Sequence, residues 1–424
     1  MQSRGKIAVV TLGCKLNFAE SSSLAQQFIS EGFTEVSPCS FADLYIVNTC
    51  TVTEHSDKKC RNLIRRVHTI NPNAIIIVTG CYAQIKGEQI AKIEGVTSVV
   101  PQSAKGSIVN VALNLMKLKN AATAVNEFKE KSEIFPACSF GERTRSFLKI
   151  QDGCDYFCTY CAIPYARGRS SCVPSEIVLR MASELSAKGI KEIVLTGVNI
   201  GDYTRVSNDI GFLDLLKLLN DIEGIERFRI SSIEPNLLTD EIIDWISSER
   251  KFVPHFHIPL QSGSNATLSR MHRKYTTEFF ASKIEYIRAK MGDVFFGIDV
   301  IVGFPGETEQ EFEQTYSFLS EVVKPAFLHI FPYSKREGTP AAKMEGQVSE
   351  NIKQLRVRRL EELSDKLHNE YISRFKGTEQ DVLFESSVKL RGTQRVMEGY
   401  TSNYIRVTAP YNPNLIGKIV RMKI

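Results

Sequence analysis

A repeated order of apolar run, polar loop and amphipathic stretch constrains the fold of this chain more than any other feature. Over residues 1 to about 125 the runs are Ile7–Val10, Leu44–Val47, Ile75–Val78 and the weaker Val96–Val100, with helix-patterned Glu20–Ser30 and Asp57–His68 between them. From Thr144 the order resumes with Phe147–Gln151, Glu192–Thr196, Phe228–Ser232, His255–Pro259, Phe295–Val302 and Phe327–Phe331. Helical stretches separate these: Pro174–Ala187, Phe212–Ile222, Asp240–Ser248, Glu278–Met291 and Glu309–Val322. Strands that alternate with helices pair in parallel, because each crossover carries the chain back over a sheet face. The first segment therefore predicts an α/β domain with an open parallel sheet, and the second an incomplete (β/α)6 barrel. In both, the loops after the strand carboxyl ends are where ligands bind.

Cysteines fall on those loops. Cys154, Cys158 and Cys161 form a C-x3-C-x2-C stretch directly after the first barrel run. Three thiolates on one tight loop can hold three irons of a [4Fe–4S] cluster, leaving the fourth iron open to a small chelating molecule. A structural zinc site, which normally takes four protein ligands, and a disulfide pair are the competing readings. In the first segment Cys14, Cys50 and Cys81 each follow a predicted strand, two of them directly after glycine. Parallel topology brings these distant residues to one crevice, where they too can hold three irons; the alternative is that each packs as a small buried residue. Cys138 falls in the linker stretch and reads as a spare, and Cys172 reads as a packed thiol.

Composition agrees with a globular chain of two or three domains: 424 residues, 43% hydrophobic and 24% charged, with a net charge of +5. The first residues lack the pattern of a signal peptide and no apolar run reaches the ~18 residues of a membrane helix, so a cytoplasmic protein with no membrane association is expected. There, ten cysteines point to metal or catalysis in preference to disulfides. The mild positive charge is compatible with a nucleic-acid partner. Asp57–Arg66 carries Lys58, Lys59, Arg61, Arg65 and Arg66 against one acid, either a solvated helix face or a phosphate contact beside the Cys50 loop.

Later strand-end loops are polar in the same way. Binding a nucleoside-bearing cofactor at the open iron takes acceptors for a ribose and an amino group, and Asn199, Glu234 and Gln261 suit those roles; each can equally be a turn or capping residue. Glu350 to about Phe375 reads as one long helix. Beyond it, short alternating runs broken by glycine and proline predict a small antiparallel barrel. From Lys376 onward it carries eight basic and four acidic residues, a net of +4.

The loops Thr11–Asn17, Asn48–Thr53 and Gly80–Gln84, with the C-x3-C-x2-C stretch, give the whole chain a resemblance to the radical S-adenosylmethionine (SAM) methylthiotransferases. The C-K-L-N sequence at Cys14–Asn17 most resembles the branch acting on N6-threonylcarbamoyladenosine of tRNA, where the isopentenyladenosine branch usually reads C-Q-M-N and the ribosomal-protein branch C-P-K-N. The resemblance implies two [4Fe–4S] clusters: Cys154, Cys158 and Cys161 would hold the one that cleaves SAM, and Cys14, Cys50 and Cys81 an auxiliary one that delivers sulfur. It implies 2-methylthio-N6-threonylcarbamoyladenosine as product, formed at adenine C2, and as partners SAM, the tRNA anticodon stem-loop and an electron donor the sequence does not identify. Arg167-Gly168-Arg169, Arg273 with Tyr275, and Tyr333–Pro340 match family stretches. The expected domains are 1–125 (auxiliary site), a linker over 126–143, a radical SAM domain over 144–370 and an OB-like TRAM domain over 371–424, the RNA-binding module of the family. The rival readings are the same chemistry on isopentenyladenosine or a ribosomal protein, and a non-catalytic iron–sulfur RNA-binding protein.

Overall fold

The computed structural model describes residues 4–50, 54–117, 134–140, 144–207, 209–392 and 394–424. Most of the expected linker, and Thr51–Thr53 of the Cys50 loop, lie outside the described residues.

The first unit runs β1 (Lys6–Thr11), α1 (Lys15–Ser30), β2 (Thr34–Glu35), β3 (Leu44–Thr49), α2 (Glu54–Ile70), β4 (Ile75–Gly80), α3 (Cys81–Ala91), β5 (Ser98–Val99) and α4 (Ile108–Lys117). Its five strands pair in parallel in the order β2-β1-β3-β4-β5. β3 is buried along its whole length, as a continuous apolar run covered on both faces should be. Tyr45, Val47, Ile76 and Val78 pack to one side, while Leu44, Ile46 and Ile77 pack to the other against Leu24, Phe28 and Ile108.

The barrel comprises β6 (Arg145–Lys149), β7 (Gln151–Asp152), α5 (Ile163–Arg167), β8 (Ser171–Cys172), α6 (Ser175–Ala187), β9 (Glu192–Thr196), α7 (Tyr203–Val206), α8 (Phe212–Asn220), β10 (Arg227–Ile230), α9 (Asp240–Ser248), β11 (His255–Gln261), α10 (Asn265–Arg270), α11 (Thr277–Met291), β12 (Phe295–Val302), α12 (Glu309–Ser317) and β13 (Phe327–Pro332). β6, β9 and β10 pair in parallel, as do β11, β12 and β13. Single bridges, Phe228 to Phe252 and Ser232 to His257, join the two sets. The result is a six-stranded parallel wall in the order β6-β9-β10-β11-β12-β13, as six βα units require. Its outer layer holds the largest apolar cluster, with Leu148, Ile193, Phe228, Ile258 and Ile298 under the helices. α1 of the first unit lies over β6, with the Phe18 ring edge-on to Phe147 at 5.8 Å between centroids. Cys138 bridges antiparallel to Leu148, so the end of the expected linker adds an edge to β6.

α13 (Glu350–Ser373) leads to β14 (Glu379–Arg391), β15 (Gln394–Thr401), β16 (Arg406–Pro410) and β17 (Ile419–Lys423). These form an antiparallel sheet in the order β16-β15-β14-β17, a barrel-like domain around Val382, Phe384, Met397 and Val407. It docks on the amino-terminal end of the barrel. Arg227 donates to the carbonyls of Asp381 and Tyr400, and Arg145 pairs with Glu385 at 2.7 Å. Among the described residues, no helix is long and apolar enough to cross a membrane.

Candidate functional site: two cysteine triads joined by a buried ion network

Cys154, Cys158 and Cys161 line a cavity of 330 Å³ at the carboxyl ends of the barrel strands. The loop that carries them starts from Gly153, at φ +70, where a Cβ would stand 2.0 Å from the Arg169 carbonyl oxygen. Only glycine permits this close approach. Gln151 organises the neighbouring loops. Its amide donates to the carbonyls of Asp152 and Gly153, and its carbonyl accepts from the backbone of Val198 and Asn199. Burial pushes the Cys154 and Cys161 thiols up to about 12. In a protein-only site the protonated thiol is favoured, and a bound metal reverses that by displacing the proton.

The same cavity collects the residues expected to hold a cofactor. Both polar side-chain atoms of Asn199 and the carbonyl oxygen of Gln261 are buried there without a hydrogen-bond partner. Buried amides are otherwise almost always paired, so these groups fit a polar ligand. Glu234 also lines the cavity, but its carboxylate is paired with Arg273. That guanidinium in turn lies 3.2 Å from the Cys158 sulfur and 2.8 Å from the Tyr275 hydroxyl. Glu234 is thereby placed as a brace for the cysteine loop as well as a wall of the cavity.

Cys14, Cys50 and Cys81 stand at the ends of adjacent strands β1, β3 and β4. A Cβ on Gly13 would lie 3.2 Å from the Cys50 sulfur, so the Cys14 and Cys50 loops touch. Gly80, at φ +97, lets β4 end against β3, where a Cβ would stand 2.4 Å from the Thr49 carbonyl oxygen. Cys81 is buried, and its thiol is pushed up by burial and by Cys14 beside it, against the pull of Arg167. Three sulfurs at one crevice again fit a metal cluster with one open position. Cys60 is buried with its thiol bonded to the Cys50 carbonyl, whereas Cys39 is exposed.

What joins the two triads was hidden in the sequence. α3, which opens with Cys81, packs on α5, the helix that follows the Cys154–Cys161 loop. Between them Glu20 of α1 accepts from Lys149 at 2.7 Å and Arg167 at 3.1 Å and also pairs with Lys105, all with buried side chains. Arg167 pairs with Asp152 at 2.9 Å and donates to Asn17. Burial alone would raise the Glu20 pKa, but Arg167, Lys105 and Lys149 outweigh it and hold the carboxyl well below the ordinary range. Arg167 is thus a buried tie between both sites. Sequence reading singled out its tripeptide, noted Glu20 with Ser21 only as part of the family resemblance and gave it no role, and missed Lys105, which carries no local signal.

A second polar group lies inside the barrel. His257 contacts the Asp299 carboxylate at 2.6 Å, and the His329 ring stands 4.7 Å from that of His257. Burial and the charge of His257 drive the His329 pKa down to about 4. His329 was not expected, since its place on β13 opposite Asp299 follows only from strand register.

A parallel wall of six strands with a C-x3-C-x2-C loop at its mouth defines an enzyme of the radical SAM class. The radical SAM superfamily model matches residues 148–319, and that of the uncharacterized protein family UPF0004 matches residues 6–101. The fold is similar to that of the radical S-adenosylmethionine methyltransferase TsrM of Kitasatospora setae, at TM-score 0.59 and 14% identity over 80% of this chain and 74% of that one. The chain is 43% identical to the threonylcarbamoyladenosine tRNA methylthiotransferase MtaB of Bacillus subtilis, over 99% of this chain and 93% of that protein. It is 38% identical to MtaB of Aquifex aeolicus, over 99% and 100%. The tRNA-2-methylthio-N(6)-dimethylallyladenosine synthase of Carboxydothermus hydrogenoformans is 34% identical, over 98% and 96%. The chain belongs to the radical SAM tRNA methylthiotransferase family, and membership implies a [4Fe–4S] cluster and SAM.

Proposed function

We propose that this enzyme converts N6-threonylcarbamoyladenosine next to the tRNA anticodon to its 2-methylthio derivative, using two [4Fe–4S] clusters. The observation that carries the two-cluster reading is the Glu20–Arg167 network, which locks the Cys14–Cys50–Cys81 crevice to the mouth of the barrel. The substrate reading is supported by the whole-chain identity of 43% to a threonylcarbamoyladenosine enzyme, against 34% to a dimethylallyladenosine enzyme.

When bound, the clusters and SAM supply the radical and sulfur chemistry that no side-chain base could perform on an aromatic C–H bond. The protein binds and orients. Cys154, Cys158 and Cys161 hold the SAM-cleaving cluster, with Arg273 beside the Cys158 sulfur. Asn199 and Gln261 would offer unpaired polar atoms to SAM, and Glu234 lines the same cavity. Cys14, Cys50 and Cys81 hold the auxiliary cluster. The exposed residues Lys58, Lys59, Arg65 and Arg66 of α2, with the basic carboxyl-terminal domain, contact the tRNA backbone. Mass spectrometry of tRNA nucleosides from cells with and without the gene tests this. Loss of the 2-methylthio derivative with accumulation of its precursor is expected; loss of the isopentenyl analogue instead would overturn the substrate, and unchanged tRNA the reaction.

A further inference from the structure

A cavity of 320 Å³ lies next to Cys14, between the first unit, the barrel and the carboxyl-terminal domain. Its walls are Lys15 at the start of α1, Arg145 and Arg229 from inside the barrel, Tyr404 from the turn between β15 and β16, and the apolar Phe18 and Phe147. The cations around it outnumber the acids. Arg145 and Arg229, with Arg227 behind them, share the buried Glu192 at 3.9, 3.0 and 3.7 Å, and Arg145 also meets Glu385. Lys15 makes no salt bridge among the described residues; the carboxylate that acts on it from a distance is Asp299, already paired with His257 at 2.6 Å. Lys15, Arg145, Arg227 and Arg229 thus face Glu192, Glu385 and the more distant Asp299, which leaves positive charge in excess around a cavity into which Lys15 is exposed.

An independent observation has the same sign. α1 begins at this cavity, runs for 16 residues, has no side-chain cap at Cys14 and carries no acid in its first turn. Its free N–H groups and dipole favour an anion. Tyr404 completes the floor at φ +65, a backbone region a tyrosine seldom adopts. Its ring stacks under Arg229 at 4.7 Å and lies 4.7 Å from His255. The cavity therefore pairs a fixed cationic side with an apolar one and touches a proposed cluster ligand.

We propose that this cavity is the specificity pocket for the modified base, in which Lys15, Arg145 and Arg229 bind the carboxylate of the threonylcarbamoyl group while Phe18 and Phe147 take its aliphatic part. The inference rests on the substrate reading above. A base held there by its side chain presents its ring beside Cys14. An uncharged isopentenyl group gains nothing from the three cations and leaves Lys15 without a carboxylate partner, which is discrimination by charge. Lys15 is thus a specificity residue and not a catalytic one.

The test uses the reconstituted holoenzyme and anticodon stem-loops carrying either the threonylcarbamoyl acid or its neutral carboxamide, a change of charge with little change of size. The expected result is at least tenfold tighter binding of the acid by fluorescence anisotropy and a KM at least tenfold lower. Lys15→Met should erase most of that preference by weakening the acid alone, with iron content and 5′-deoxyadenosine release retained; Lys15→Arg should restore it. Equal binding of acid and amide by the unaltered enzyme overturns the pocket. So does a Lys15→Met variant that weakens both equally, which would mark a backbone phosphate as the occupant. Failure to methylthiolate either stem-loop, with turnover of an isopentenyladenosine stem-loop, overturns the substrate reading and the pocket with it. Turnover of acid and amide alike overturns the pocket alone.

Discussion

Cys154, Cys158 and Cys161 lie within eight residues on one loop, whereas Cys14, Cys50 and Cys81 come from the ends of three strands spread over almost seventy. The first triad needs only a loop of the right shape, which Gly153 and the Gln151 hydrogen bonds provide. The second exists only when β1, β3 and β4 are paired in register. A local site tolerates loosening of the sheet; a topological one does not. The buried ions around Glu20 therefore serve the second site more than the first, because they clamp α1 and its Cys14 terminus to the barrel.

The sharpest separation of the two sites is by ligand removal. Cys158→Ala should reduce 5′-deoxyadenosine formation to background, while Cys50→Ala should leave SAM cleavage within a few-fold of normal and abolish methylthiolation. Equal requirement for Cys39, Cys60, Cys138 or Cys172 in either assay would show the ligand sets to be misassigned.

Glu20→Gln comes next. It leaves three buried cations short of a partner, and breaking a buried ion network costs about 3–5 kcal/mol, read as a lower midpoint in denaturant unfolding. The pH dependence has a definite sign. A carboxyl whose folded pKa lies below its unfolded value contributes stability above the unfolded pKa, and this is lost as pH falls toward the folded one. The gap between the enzyme and Glu20→Gln should thus be widest near neutral pH and narrow below pH ~4.3, the ordinary glutamate value. A gap independent of pH would mean Glu20 is not ionised in the folded state.

The two glycines allow a subtler comparison. Gly153→Ala and Gly80→Ala each place a Cβ against a backbone carbonyl oxygen in a left-handed conformation, a strain of about 1–3 kcal/mol before the clash is relieved. Each variant should lose iron from its own site, roughly half the content under the two-cluster reading. Gly80→Ala alone should also destabilise the amino-terminal sheet. Equal losses from both sites would show that the triads fold as one unit.

The smallest effect is expected on the rim. Lys58→Gln with Lys59→Gln on the exposed face of α2 should weaken tRNA binding several-fold and make it less sensitive to salt, by roughly one counterion for every phosphate no longer neutralised. Cluster content should not change.

Much of this architecture was legible because it is periodic. Parallel strands are buried on both faces and read as unbroken apolar runs, and each cysteine follows such a run at a spacing short enough to see. The long helix α13 and the alternating strands beyond it were visible for the same reason; α10, six residues long, is too short to show a period, and α4, though amphipathic with Ile108, Ala112 and Leu115 buried on one face, was passed over. The roles of Glu234 and Arg167 were less legible. Glu234 reads as a free acceptor until Arg273, some forty residues away, is seen to pair with it. Arg167 reads as part of a family stretch with no partner until Glu20, nearly 150 residues earlier, closes on it.

By itself the sequence determined that these six cysteines fall on strand-end loops, the order of strands and helices and the family, since these depend on local spacing and on burial patterns a strand or helix imposes along the chain. The tertiary structure alone decided which charges are paired. Glu20 among three cations, His257 between Asp299 and His329, and Lys15 beside two arginines and a tyrosine from another domain are meetings of residues far apart in the chain. Such pairings have no local signature, because a buried charge is stabilised by whichever partners the fold delivers to it.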